Sequence, residues 1–241
     1  MTTRKPTGYV IYRGPSLLDG APIAVIAIVK SSNRKTGNMV QTYILRSDIE
    51  PHKAIKTGED SSICGDCKHR PFNGGACYVL TFQGPLVVYR AFRRGRYPEA
   101  TPAEVAQLIA GRMVRLGTYG DPMAAPYQAW RDLTALASGR TGYSHQWDNP
   151  CIPARQWRGV MDLCMASVDN PHEATAARTQ GLRYFRIRRA DEPVFQREFI
   201  CPASHEAGKR KTCTQCGACD GGEPHKASPV IIAHGSRASA F

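Results

Sequence analysis

Apolar and polar positions follow one rhythm at the start of the chain and another further along. GYVIYRG (8–14), APIAVIAIV (21–29) and MVQTYILRS (39–47) are rich in β-branched and aromatic residues and read as strands. The polar stretch KSSNRKTGN (30–38) between the last two suits a hairpin turn. RSDIEPHKAIKTGEDSSI (46–63) has no clear period and predicts an irregular connection. From about residue 85 strand-like and helix-like segments alternate. TPAEVAQLIAG (101–111) places Thr101 and Glu104 as a capping box, with Gly111 as the stop. Strand MVRLGTY (113–119), helix PYQAWRDLTALASG (126–139), strand GYSHQW (142–147), helix ARQWRGVMD (154–162) and strand LCMASVD (163–169) follow. NPHEATAARTQG (170–181) opens a helix with Asn170 as cap and Pro171 in the first turn, and LRYFRIRR (182–189) and QREFICP (196–202) are further strands.

Strands alternating with helices imply βαβ units, a parallel sheet and an α/β fold. In such a sheet ligands gather at the carboxyl ends of the strands. Those ends carry Tyr119 to Pro122, His145 to Trp147, Ser167 to Asp169, Arg186 to Arg189, and Cys201. Each of these residues also has a plainer reading as a turn cap.

With 241 residues, 42% of them hydrophobic, the chain can build a substantial core. No apolar run approaches the ~20 residues of a membrane span. MTTRKPTGYV lacks an apolar signal-peptide core, so the expected location is the cytoplasm. There, nine cysteines are poorly explained as disulfides, and their number is odd. A formal charge of +12 points to a polyanionic partner such as nucleic acid.

Seven of the cysteines fall in two sets. CPASHEAGKRKTCTQCGAC contains Cys201, Cys213, Cys216 and Cys219, which suit a tetrahedral zinc or a [4Fe–4S] cluster. The overlapping CxxCxxC run favours iron–sulfur, and small residues between the thiols leave backbone N–H groups for the sulfurs. CGDCKHRPFNGGACY contains Cys64, Cys67 and Cys77. Three thiolates on a cubane leave one iron open; alternatively His69, Cys151 or Cys164 closes a zinc site. The Asn-Gly-Gly before Cys77 would turn the loop back on the metal. Cys164 also reads as a packed core thiol. The sets divide the chain into a β-rich segment (1–60), an α/β segment (61–200) and a cysteine-rich tail (201–241).

YRAFRRGRY (89–97) interleaves Arg90, Arg93, Arg94 and Arg96 with aromatics, as in a surface that grips phosphates and stacks bases. The same pattern fits a helix with aromatics inward and arginines in water. RYFRIRR predicts Arg183, Arg186 and Arg188 on the face away from the core. His145 reads as a proton donor, ligand or substrate contact, or as a structural histidine. Asp121 and Asp169 read either as contacts to ribose hydroxyls or a substrate amine, or as residues that begin the next helix.

The order of these parts resembles the radical SAM superfamily. Cys64, Cys67 and Cys77 stand where that family has its three-cysteine cluster, and GTYGDP (117–122) closes the next strand in place of its Gly-Gly-Glu-Pro turn. MASVDNPHEATAARTQGLRYFRI (165–187) resembles the later Ser-x-Asp strand, helix and strand. The resemblance implies a partial (β/α) barrel preceded by the N-terminal hairpin, and a [4Fe–4S] cluster on Cys64, Cys67 and Cys77. It also implies S-adenosylmethionine at Gly117, Thr118, Tyr119, Gly120, Asp121 and Pro122, with Ser167 and Asp169, and an auxiliary cluster in the cysteine-rich tail. The layout also resembles cysteine-rich phage and prophage proteins. The family spacing is CxxxCxxC, whereas here CxxC is followed by nine residues and a third cysteine, and the aromatic Tyr78 comes after that cysteine. The alternative is a zinc-stabilised nucleic-acid-binding accessory protein without catalysis.

Overall fold

Val10, Val25, Ile26 and Ile44 are buried, and they order the first three strands into an antiparallel meander. In the computed structural model, which describes residues 5–31 and 33–241, these are β1 (Gly8–Pro15), β2 (Pro22–Ile28) and β3 (Val40–Arg46). Met1–Arg4, from the basic N-terminal stretch, and Ser32, from the predicted hairpin turn, lie outside the described residues. Val25 pairs with Ile44 and Ile26 with Tyr43, so the predicted hairpin forms. The connection expected to be irregular holds two short helices, α1 (Pro51–Thr57) and α2 (Ser61–Cys64). Neither is long enough for a 3.6-residue period to show in the sequence.

After α3 (Gly84–Arg93) and α4 (Pro102–Leu108) the alternation proceeds through β4 (Met113–Tyr119), α5 (Tyr127–Thr134), β5 (Gly139–Ser144), α6 (Ala154–Met161), β6 (Met165–Val168), α7 (Pro171–Thr179) and β7 (Tyr184–Arg188). The capping box of α4 is present: Thr101 N–H donates to Glu104 Oε2 at 2.7 Å and Glu104 N–H to Thr101 Oγ1 at 3.2 Å. Asn170 caps α7 by accepting from Glu173 N–H at 2.9 Å. β8 (Glu198–Ile200), the one-turn α8 (Cys213–Cys216) and β9 (Ser228–Ile232) complete the elements that place the site.

The described strands form one open, mostly parallel sheet ordered β1-β2-β3-β4-β5-β6-β7-β9-β8. It draws strands from all three segments read in the sequence. β9 was not expected. SPVII is a short, largely apolar segment between polar loops, and it inserts between β7 and β8, which are consecutive in sequence but not neighbours in the sheet.

From β3 to β7 the order never reverses. Right-handed crossovers therefore carry the intervening helices to one face. There Val114, Leu116, Ala166 and Val168 pack in the main core with Trp130 and Leu133 of α5 and Val160 of α6. Side chains of alternate parity project to the opposite face: Arg115, Thr141, Tyr143, His145, Ser167, Phe185 and Ile187 line a cavity there.

Among the described residues no helix lies between β7 and β8 to cover the outer face of β7. Arg183, Arg186 and Arg188, expected to lie away from the core, are instead all buried, at 4%, 0% and 4% exposure, Arg186 and Arg188 on that outer face and Arg183 against the Ala218, Gly221 and Ala227 carbonyls. Arg186 holds Glu198 through two hydrogen bonds, Nε to Oε1 at 2.9 Å and Nη2 to Oε2 at 2.8 Å, and Arg188 pairs with Glu206. A buried arginine needs such partners because an unpaired charge in a low-dielectric interior is costly. Among the described residues no helix is long and apolar enough to cross a membrane.

Candidate functional site

The GTYGDP turn at the end of β4 is shaped by steric necessity. Gly117 and Gly120 have φ of +66° and +83°; a Cβ at Gly117 would lie 2.6 Å from the Gly120 carbonyl, and one at Gly120 2.7 Å from Ile44 Cβ. Only glycine tolerates both the backbone conformation and the approach. Asp121 then locks the turn. Its backbone N–H donates to the Ile63 carbonyl at 2.6 Å, tying the turn to α2 and the first cysteine set. Its carboxylate accepts from Met123 N–H at 3.0 Å, Ser144 Oγ at 2.8 Å and His145 N–H at 2.7 Å. Of the two readings of Asp121, the structure therefore shows the cap, and its carboxylate is used within the protein. Pro122 is buried and its carbonyl accepts from Trp130 Nε1 at 2.8 Å, so Pro122 does not line the cavity, whereas Gly117, Thr118, Tyr119, Gly120 and Asp121 do.

The first cysteine loop leaves α2 at Gly65, whose φ of +60° and closeness to Gln146 (a Cβ would lie 2.4 Å from its side chain) require glycine. Gln146 Nε2 donates back to the Cys64 carbonyl at 3.1 Å. Arg70 anchors the loop by donating to the Gly65 carbonyl at 3.2 Å and to Asp60 at 2.7 Å. The chain returns at Gly75, where a Cβ would fall 2.3 Å from the Lys68 carbonyl, and Cys77 N–H donates to the His69 carbonyl at 2.9 Å. The Asn-Gly-Gly thus performs the reversal expected of it.

The second set is scaffolded differently. Thr212 and Gln215 form a capping box around α8, which puts Cys213 and Cys216 one helical turn apart. Gly217, at φ +64°, then reverses the chain toward Cys219. Cys213 N–H donates to the Lys35 carbonyl at 3.0 Å and Thr214 N–H to the Thr36 carbonyl at 3.2 Å, so the β2–β3 turn grips this loop. Arg183 clamps its far side through the Ala218 carbonyl at 2.8 Å and Asp220 at 2.5 Å.

Cys64, Cys67, Cys77, Cys201, Cys213, Cys216 and Cys219 all line the same cavity, of about 180 Å³. That space is an order of magnitude more than the ≳10–15 Å³ a single water needs. Cys151 is exposed elsewhere, and Cys164 is a buried core thiol beneath Gly142. Among the described residues no three His, Cys, Asp or Glu side chains converge closely enough to hold one metal ion. Burial pushes the Cys64, Cys77 and Cys201 thiols up and takes Cys67 and Cys219 up to about 12, so without a compensating cation the thiols stay protonated. Arg115 brings a fixed positive charge to the second set. Burial alone would weaken that charge, but Tyr78, Tyr143, Cys213 and Cys219 beside it more than offset the effect.

Between the two sets the cavity wall carries unsatisfied polar atoms. Tyr119 Oη, Thr141 Oγ1 and His145 Nε2 are buried there without a hydrogen-bond partner. Buried polar groups are rarely left unpaired, so these three mark where a polar ligand would be recognised. Ser167 lines the same wall. Asp169 does not; its Oδ2 instead pairs with His69 Nε2 at 2.8 Å and Lys68 Nζ at 2.7 Å, orienting the imidazole at the cavity edge. Phe241 stacks on that ring at 5.7 Å.

No family model, curated protein or solved structure matches the chain. The functional reading therefore rests on this geometry and the residues that build it.

The predicted nucleic-acid stretch divides as its plainer reading expects. Tyr89 and Phe92 are buried in the core, while Arg90, Arg93, Arg94 and Arg96 are exposed. The two buried aromatics cannot stack on bases. Arg90 faces Glu50 at 3.5 Å and Arg93 donates to the Ser47 carbonyl at 2.8 Å.

Asp121 and His145 oppose each other in pH dependence. Burial pushes the Asp121 carboxyl up to about 6 and the His145 imidazole down to about 4. Asp121 holds its proton more tightly when folded, so its contribution is full below about pH 4 and is lost as pH rises to about 6. His145 is held neutral, so its contribution is full above about pH 6.5 and is lost as pH falls to about 4. Each is worth about 3 kcal/mol, and in the native protein they nearly cancel. Urea midpoints measured between about pH 6.5 and pH 4 are expected to rise on acidification in His145→Gln relative to wild type, and to fall in Asp121→Asn. Parallel curves for all three proteins would show that these groups do not titrate as described.

Proposed function

We propose that this chain is an iron–sulfur protein of radical SAM type, with two clusters facing one reaction chamber in a partial (β/α)-barrel arrangement. The observation that carries the reading is the convergence of seven cysteines, from residues 64–77 and 201–219, on one cavity against the helix-free face of a mostly parallel sheet. The two cysteines outside the sets are also outside the cavity.

The residues suit polynuclear clusters better than single ions. A tetrahedral zinc at ~2.3 Å from each sulfur needs thiolates nearly in contact with one another, whereas a cubane takes them at its corners, further apart. Among the described residues no three such side chains stand as close as the first requirement asks, which speaks against a single ion. Cys64, Cys67 and Cys77 would hold one cluster with an iron free for a ligand; Cys201, Cys213, Cys216 and Cys219 would hold the other completely. With S-adenosylmethionine on its open iron and an electron from an external reductant, the first cluster would supply reductive cleavage of that cofactor, releasing methionine.

The chain's own groups then position and exclude. The turn from Gly117 to Gly120, held in shape by its two glycines, lines the cavity beside the first set. Tyr119 Oη, Thr141 Oγ1 and His145 Nε2 offer hydrogen bonds to a polar ligand. His69, held by Asp169, can keep or pass a proton at the cavity edge. Phe241 shields that ring from water.

Anaerobic purification followed by metal analysis and an S-adenosylmethionine assay under dithionite tests this. A brown protein that releases 5′-deoxyadenosine is expected. A colourless protein holding one or two zinc ions would overturn the reading in favour of a zinc-stabilised binding module.

A further inference from the structure

A second recess, of about 920 Å³, adjoins the cavity and shares Lys35, Tyr78, Ala203, Ile231, Ala233 and His234 with it. Its rim is basic. Arg34, Lys35, Lys209 and Lys211 line it, together with His205, and none of these four cations is ion-paired among the described residues. Its one lining carboxylate, Glu206, is neutralised by Arg188. The rim therefore presents an uncompensated positive field beside the thiol-lined cavity.

Where recess and cavity meet, Tyr78 and His234 stack with ring centroids 5.1 Å apart and planes 26° apart. Arg115 Nη2 fixes the tyrosine by donating to its hydroxyl at 3.2 Å. Gly235 lets the tail lie against Tyr78, since a Cβ there would fall 2.8 Å from Tyr78 Cβ. Both rings remain exposed on the outside. A rigid, exposed aromatic pair beside unpaired cations is what recognition of a base joined to phosphate requires.

We propose that this recess is the substrate port, and that it takes a nucleotide: phosphates on Lys35, Lys209, Lys211 and Arg34, base against Tyr78 and His234, directed into the thiol-lined cavity. The proposal rests on reading the cavity as a reaction chamber, and it moves nucleic-acid binding from Arg90, Arg93, Arg94 and Arg96 to this recess. The nucleotide is either free or part of a single strand; both present the same phosphate and base.

Fluorescence anisotropy with full-length protein separates these sources, using a labelled oligothymidylate and a labelled nucleoside triphosphate as probes. Iron is measured in the same preparations, so a failed cluster reading and a failed port are told apart. The triple variant Lys35→Ala, Lys209→Ala, Lys211→Ala is expected to weaken binding of the probe that binds by about 10-fold or more. For the strand it should also reduce the slope of log affinity against log salt by about 2, at ~0.7 per phosphate contact. Tyr78→Ala is expected to weaken binding by about 10-fold without changing that slope. The Arg90→Ala, Arg93→Ala, Arg94→Ala, Arg96→Ala variant is expected to bind as wild type does. Binding of the oligonucleotide alone assigns a strand substrate; binding of the triphosphate with the same variant dependence assigns a free nucleotide. Neither probe binding, binding unchanged in the port variants, or loss confined to the α3 variant would overturn the proposal.

Discussion

Replacing Cys64, Cys67 and Cys77 with serine is expected to halve the iron of the anaerobically purified protein, from about eight to about four per chain. The variant should stay brown but lose all cleavage of S-adenosylmethionine. Replacing Cys201, Cys213, Cys216 and Cys219 should remove the other half. The two losses are expected to be independent because the scaffolds are. The first loop is held by Arg70, Gln146 and the turn after β4, the second by the β2–β3 turn and Arg183. Their effects on stability should differ. The first set lies against the main core, which includes Ile63 and packs Cys64. The second belongs to a small cluster of Cys201, Ala203 and Ile231, with little apolar burial to hold it once metal is gone. The tail is therefore expected to become protease-sensitive in the second variant and to remain protected in the first. Loss of all metal from either variant would show a single shared centre and sink the two-cluster reading.

Glu198→Ala is expected to destabilise the protein by about 3–5 kcal/mol, read as a shift in the urea midpoint at unchanged slope. Arg186 and Glu198 side chains are both fully shielded from solvent and meet through paired hydrogen bonds. Removing the carboxylate strands a guanidinium in the space beneath β7 that a helix would otherwise fill. Glu192, 3.6 Å from Arg186, is too exposed to replace it. The double variant Arg186→Met, Glu198→Leu should recover most of the loss, since apolar residues of similar volume leave no charge buried. A single-variant cost below about 1 kcal/mol would show that water reaches the pair.

Much of this was legible in the residues. Periodic burial is a local property: a strand facing helices must carry apolar residues at every second position, and a helix start needs its cap. MVRLGTY, the Thr101–Glu104 box and Asn170 therefore announced β4, α4 and α7. The cysteine spacings announced two thiol sets, and the glycines of GTYGDP and FNGGAC announced reversals that the structure shows to be sterically obligatory. Asp121 was readable as a cap. That its carboxylate is fully used was not, because Ser144 and His145 come from another strand.

Tertiary structure alone decided the rest. That both thiol sets face one cavity follows from strand order and crossover hand, which bring residues more than a hundred positions apart to one face of the sheet. The role of β9 depended on its insertion between β7 and β8, a non-local pairing that no local pattern encodes. The buried fate of Arg186 depended on a missing helix and a carboxylate supplied by the edge strand. The basic port was invisible for the same reason. Its lysines come from the β2–β3 turn and the second cysteine loop, and charge in a sequence has no direction until the chain has folded.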